Sequence, residues 1–243
     1  MSAPVGTDQT RTTRRDRVTR IVMLGRQGSG KGTQCERLAK RCGVAHVSTG
    51  ALFRDAVVRD SSLGRSVKAL IDAGDLVPVE RVVEVVAERL ACVDIRTQGF
   101  VLDGFPRTVE QAEALAVLLG PDTIDAAINL AVNPRAALER LLRRRVCVDC
   151  GHAATVPANS GVRRCTACGG RVIQRADDNR SAITRRLALY EQQTKPMLAW
   201  YASRGLLATV DGHGSPDEVA ARVERAWSTW RPVDADLGGH ATV

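Results

Sequence analysis

From residue 18 to residue 230 the chain alternates short apolar-rich runs with longer segments whose apolar residues recur every three or four positions. The short runs are "VTRIVML" from Val18, "GFVLD" from Gly99, "IDAAINLAV" from Ile124 and "LLATVDG" from Leu206. They predict buried strands, and "AHVS" from Ala45 predicts a shorter one. The longer segments predict helices. One runs from about Lys31 to Arg41. In "LGRSVKALIDAG", Leu63, Val67, Leu70 and Ile71 share a face and Gly74 closes the helix. "PVERVVEVVAERLA" places Pro78 at a first helical position, and "VEQAEALAVLLG" ends at Gly120. "PRAALERLLRRR" follows from Pro134, and "SAITRRLALYEQQTKPMLAWYASRG" reads as one long helix kinked at Pro196. Ser215 caps a last helix whose first turn holds Pro216. Strands alternating with helices predict an α/β fold whose parallel sheet is covered on both faces, with ligands held at the carboxyl ends of its strands.

Composition adds three constraints. Aromatic residues make up 3% of the chain, so the core is expected to be built of Val, Leu, Ile and Ala. No run approaches the roughly 18 to 20 apolar residues of a membrane span, and the N-terminal arginines lead into no apolar secretory segment, so a cytoplasmic protein without membrane contact is expected. The net charge of +8 is local: residues 135–186 carry 12 arginines, no lysine and four acids, and the rest of the chain balances to zero. That stretch is a local positive field and not a diffuse solubility device.

"GRQGSGKGT", Gly25–Thr33, lies between a predicted strand and a predicted helix. Its glycines let backbone N–H groups of Gly28, Ser29, Gly30, Lys31, Gly32 and Thr33 converge on phosphate oxygens. Lys31 can neutralise them, and the helix N-terminus adds its dipole. The plain alternative is an ordinary glycine turn. The residue after Lys31 is Gly32, with the hydroxyl of Thr33 one place later, so the loop departs from the commonest phosphate-binding pattern.

Of seven cysteines, four form two C-x-x-C pairs, Cys147/Cys150 and Cys165/Cys168, with 14 residues between them. This is zinc-ribbon spacing, suited to a closed tetrahedral and therefore structural Zn²⁺ site. The glycine after each pair, Gly151 and Gly169, permits the tight turn such a site needs. His152 is a weaker alternative ligand, and four unligated thiols in a polar loop are the plain reading. The odd cysteine total without a secretory segment argues against a disulfide framework. Cys35, Cys42 and Cys92 are expected to be buried small hydrophobes.

Together these segments resemble the adenylate kinase family, from about Arg20 to Trp227. That family's loop carries glycine after the lysine, as here. The resemblance implies a P-loop NTPase-type fold with a five-stranded parallel sheet and a small zinc-ribbon-like lid insert, and phosphoryl transfer from ATP to AMP, with Mg²⁺ accompanying ATP. "HVSTGALFR" resembles the acceptor segment, which implies that Thr49 approaches adenine and Arg54 the AMP phosphate. "GFVLDGFPRTVEQAEAL" implies Asp103 at the magnesium region, Gly104 and Arg107 at AMP, and Gln111 on its adenine. "LERLLRRRV" and "QRADDNRSAITRRL" imply that Arg140 and Arg144 face ATP and that Arg144, Arg175 and Arg186 close over the transferring phosphate. Arg175 and Arg186 also serve AMP, and Asp177 and Asp178 are acidic partners. Residues 18–145 and 176–231 then form the core, with an acceptor-binding helical segment at about 48–77. The lid spans 146–175, and 1–17 and 232–243 form a disordered basic arm and a loose tail.

Two departures bear on rate and acceptor strictness: Ala51 stands where the family usually has Asp, and Val79-Glu80 where it has Asp-Glu. The lid also lacks the aromatic and the Asn-Pro-Pro stretch common in the family. A monomer is expected. Other acceptors, UMP or CMP, remain the nearest alternative, followed by a weak paralogue that mainly binds nucleotides. A zinc-ribbon nucleic-acid binder is a third reading, but residues 144–186 contain no Phe, Tyr or Trp on which bases would stack.

Overall fold

The strand-helix alternation becomes a parallel sheet whose strands point alternate side chains into two separate cores. A computed structural model describes residues 18–120, 123–156, 161 and 164–230, so the expected arm and tail lie outside the described residues. The strands are β1 (Thr19–Leu24), β2 (Ala45–Ser48), β3 (Gly99–Asp103), β4 (Ala126–Ala131) and β8 (Leu207–Asp211), in the order β2-β3-β1-β4-β8 with all pairings parallel. On β1, Val22 and Leu24 enter one apolar cluster and Ile21 and Met23 the other. Burial on both faces is why these segments read as continuous apolar runs.

α1 (Lys31–Cys42) and α10 (Pro216–Thr229) cover the face holding Ile21, Val101 and Ile128. A capping box at Ser215 and Glu218 starts α10. The opposite face is covered mainly by α2 (Thr49–Val58), α3 (Ser62–Ala73), α4 (Val79–Leu90), α6 (Val109–Leu119) and α9 (Lys195–Ala202). α7 (Pro134–Leu142) leads into β5 (Arg144–Cys147), which pairs antiparallel with β6 (Ala153–Thr155) and β7 (Val172–Ile173) in a separate small sheet. The short α5 (Val93–Gln98) precedes β3.

Several local expectations are corrected. Pro78 is the N-cap of α4, in an extended conformation, and not its first helical residue. The long helix is α8 (Arg180–Leu189), a π-helical turn (Tyr190–Thr194) and α9. Pro196, lacking an N–H, sits in the first turn of α9, and the wider turn before it carries the change of hydrogen-bonding. Cys35 is buried as expected, but Cys92 is exposed, because it caps α5 at the corner with α4. α3 ends at Gly74, whose Cα lies so close to α8 that an added Cβ would stand 2.6 Å from the carbonyl oxygen of Ala182. Arg186 donates to the Ile71 carbonyl at 3.2 Å across the same joint, and Arg185 bonds Asp75.

Candidate active site

The loop between β1 and α1 turns through left-handed backbone at Gly28 and Gly30. A side chain at Gly28 would collide with α7, since its Cβ would lie 2.5 Å from the Ala137 carbonyl oxygen. Gly30 is the N-cap of α1 and offers no side-chain cap, so the first N–H groups of the helix remain directed into the loop. Lys31 folds back over this cradle, donating from Nζ to the carbonyls of Gly25 at 2.7 Å and Arg26 at 2.9 Å. Burial lowers its pKa to about 8, against the opposing pull of Asp103, with Arg107 adding to the depression. The hydroxyl of Ser29 is buried without a protein partner.

Asp103 ends β3 beside the first turn of α1; a Cβ on Gly32 would lie 3.7 Å from its Oδ2. Immediately beyond it, across a cis peptide between Phe105 and Pro106, Arg107 donates from Nε to the Gly104 carbonyl at 2.8 Å. Gln111 is buried, unlike an ordinary first-turn glutamine, and its Oε1 accepts from the Arg107 backbone N–H at 2.8 Å. Thr49 opens α2 and donates to the Asp103 carbonyl at 3.3 Å. Thr49, Gly104, Arg107 and Gln111 therefore meet where β2 and β3 end.

The arginines converge from the other side. Arg144 donates from Nε to Asp178 at 2.7 Å, Arg175 to Asp177 at 2.8 Å, and Arg186 to Asp177 at 2.6 Å. Asp178 is 0% exposed, and its charge is tolerated because Arg144 and Arg186 face it. Burial would raise the Asp177 carboxyl, but Arg175 and Arg186 outweigh it and hold the pKa at about 2. The Arg54 guanidinium is lowered to about 10 by burial and then by Arg175. Arg107 is lowered as well, by burial first and by Arg186 and Arg175, with Asp103 opposing. Lys31 and five arginines thus share one field with Asp103, Asp177 and Asp178, leaving an excess of positive charge. Arg140 stands apart: it bonds the Gly212 carbonyl at 3.1 Å and reaches the Ser29 carbonyl at 3.4 Å, bracing the loop against the end of β8.

Sequence reasoning passed over Arg26. It bonds Glu191 at 2.6 Å and lies over the Tyr190 ring, fastening the loop to the π-helical turn. Its partners lie more than 160 residues away, so no local signal marks it.

In the small sheet the four cysteine sulfurs lie within 4.8 Å of one another, with Cys147 and Cys168 at 3.5 Å and Cys150 and Cys165 at 3.7 Å. Gly151 and Gly169 both have left-handed backbone, and their N–H groups close turns onto the carbonyls of Cys147 and Cys165. His152 is outside the cluster; its carbonyl accepts from the Cys147 N–H. Four sulfurs at this spacing, with no oxygen donor among them, fit a soft tetrahedral ion.

A glycine loop and half-buried lysine at the carboxyl edge of a parallel sheet, with arginines from both ends of the cysteine segment and from α8 converging on the same side, define a P-loop phosphotransferase. A family model described as adenylate kinase matches residues 23–206. Proteins named adenylate kinase from Acidothermus cellulolyticus and Carboxydothermus hydrogenoformans are each 43% identical, over 217 and 213 residues. These alignments cover 87% and 85% of this chain and 99% and 98% of those proteins. One from Moorella thermoacetica is 44% identical over 213 residues, covering 85% of this chain and 97% of that protein. The chain belongs to the adenylate kinase family, enzymes of ATP:AMP phosphoryl transfer. Among the described residues no helix is long and apolar enough to cross a membrane.

Proposed function

We propose that this chain transfers the terminal phosphoryl group of ATP to AMP between the Lys31 loop and the acceptor pocket of Thr49, Arg54, Gly104, Arg107 and Gln111. The transferring group has little covalent chemistry to be helped by; it needs alignment and positive charge where its oxygens are most negative. The loop amides of Gly28, Ser29, Gly30, Lys31, Gly32 and Thr33 receive the ATP phosphates, and the unpartnered Ser29 hydroxyl supports that assignment. Lys31 follows the moving group. Arg140 holds the loop in shape on the ATP side, and Arg144, Arg175 and Arg186 grip the phosphates bidentately.

The observation that carries this reading is the gathering of six cations around three carboxylates, with Arg144, Arg175 and Arg186 ion-paired to Asp177 and Asp178. Without nucleotide, Asp177 and Asp178 hold three of those arginines in place, so little rearrangement is needed when phosphates arrive. Asp103 is the carboxylate suited to Mg²⁺ beside the loop, where the ion would share the phosphate charge. The four cysteines would hold one Zn²⁺, which supplies folding energy to the lid and no chemistry. Residues 146–175 act as that lid, closing to keep water from accepting the phosphoryl group.

Arg107 separates the two nucleotide sites. In Arg107→Ala the KM for AMP should rise at least about tenfold, the cost of losing a charge-assisted contact, while the KM for ATP changes little. Equal weakening of both nucleotides in steady-state assays would overturn the assignment.

A further inference from the structure

Cys35 was expected to be a buried filler, yet it stands beside two other ligating side chains. Its sulfur, a ring nitrogen of His46 and a carboxylate oxygen of Asp103 all lie within 4.8 Å of one another, with His46 Nε2 4.0 Å from Asp103 Oδ2. Sheet register explains the meeting. Ser48 pairs with Asp103 and His46 with Val101, so His46 and Asp103 share a face as diagonal neighbours. Val101 belongs to the cluster that α1 covers, and Cys35 enters that cluster from α1.

Exposure is graded across the three. Cys35 is 0% exposed, while the side chains of Asp103 and His46 are 15% and 27% exposed. An ion can enter past His46 and be closed off at its inner end by sulfur. No hydrogen bond engages the Cys35 thiol or the His46 ring among the described residues, so neither is committed elsewhere. Thiolate, imidazole and carboxylate together select a borderline-soft cation, and three protein donors leave a fourth position open.

We propose that Cys35, His46 and Asp103 form a second cation site, for a thiophilic divalent ion of the zinc class, and that filling it inhibits the kinase by withdrawing Asp103 from nucleotide-bound magnesium. The inhibitory part rests on the assignment of Asp103 made above. As the sulfur–metal bond forms, the Cys35 thiol gives up its proton to solvent. With three donors against four sulfurs, the site is weaker than the four-cysteine cluster and fills after it.

The test starts from purified protein already holding one Zn²⁺ per chain. Equilibrium dialysis against Zn²⁺ without nucleotide should add a second equivalent and release protons. Cys35→Ala and His46→Asn should each weaken the second equivalent by at least about tenfold, the least that losing a group which merely orients a ligand costs, and keep the first. His46 is at the surface, so His46→Asn remains informative if Cys35→Ala disturbs the core; circular dichroism verifies both folds. Zn²⁺ added to assays at fixed Mg²⁺ and ATP should inhibit the wild type, and inhibition should weaken in parallel in the two variants. No second equivalent, or one unchanged in both variants, overturns the site. A second equivalent lost in the variants, with no effect of zinc on wild-type turnover, upholds the site and overturns the inhibition. Activity of Asp103→Asn across Mg²⁺ concentrations tests the Asp103 assignment by itself.

Discussion

The sheet and the cysteine segment solve the same problem by opposite means. In the sheet, Ile21, Val22, Val101 and Leu102 are each 0% exposed, and shape follows from apolar packing on two faces. In the small sheet built on β5, the buried residues among those described from 146 to 175 are Cys147, Val156 and Cys165. A segment so poor in apolar side chains cannot hold itself by burial. Four converging sulfurs can take over that task, and even Val148 and Ile173 of this segment are left exposed. The difference teaches that one chain can hold two parts in shape by separate means, one by hydrophobic burial and the other by a cluster of four sulfurs suited to a metal.

Removing the metal should break that comparison most sharply. A structural zinc contributes apparent folding energy on the order of 10 kcal/mol, so Cys165→Ser should lose the ion and the protection of amides in β5, β6 and β7 from hydrogen exchange. Turnover should fall, while ATP still binds the loop and the sheet amides stay protected. Equal stability and activity with all four thiols freely titratable would show that the segment holds itself. Lys31→Met acts on the other half. It should lower kcat at least about a hundredfold, near 3 kcal/mol, with zinc content unchanged. Because burial depresses the lysine's pKa, its charge opposes folding, and the melting temperature should not fall.

Acid acts on the boundary between the halves, where Asp177 follows the cysteine segment. Its pKa drops from 3.8 to about 2 on folding, so its contribution is complete above about pH 4 and disappears as pH falls toward 2. The loss should be about 2 kcal/mol. Denaturant titrations of Asp177→Asn should show a correspondingly flatter acid limb. The smallest effect is on ATP affinity. Lys31 without nucleotide loses its proton near pH 8, so above that pH ATP binding must take one up. The affinity should then decline by up to about tenfold per pH unit, and calorimetry in buffers of differing ionisation enthalpy should detect the proton. Lys31→Met should abolish the uptake.

How much could be read in advance follows the same division. Strand ends and the glycine loop were legible because their chemistry is local: glycines where φ must be positive, a lysine at the helix start, apolar runs buried on both faces. The two cysteine pairs were legible because the ligand spacing is itself a sequence pattern. α2 was legible only as part of the acceptor-binding helical segment expected at about 48–77, without bounds of its own, since its apolar stripe is short and Phe53 is its one deeply buried large residue. The clamp of Arg26 on Tyr190 and Glu191, and the meeting of Cys35, His46 and Asp103, were not legible. Sheet register and helix packing create those encounters between residues far apart in the chain.

The joint at Gly74 works like a machined fit with no clearance. Its positive φ and the 2.6 Å approach to Ala182 leave no room for even a methyl group between α3 and α8. Position 74 is therefore a spacer of zero thickness, and any side chain there acts as a shim. Gly74→Ala would push α3 outward and stretch the bonds that Arg185 and Arg186 make to Asp75 and Ile71. Since Arg186 also holds Asp177, a displacement begun at this unremarked turn would be delivered to the carboxylate that aligns the arginines, some hundred residues away along the chain but one side chain away in space.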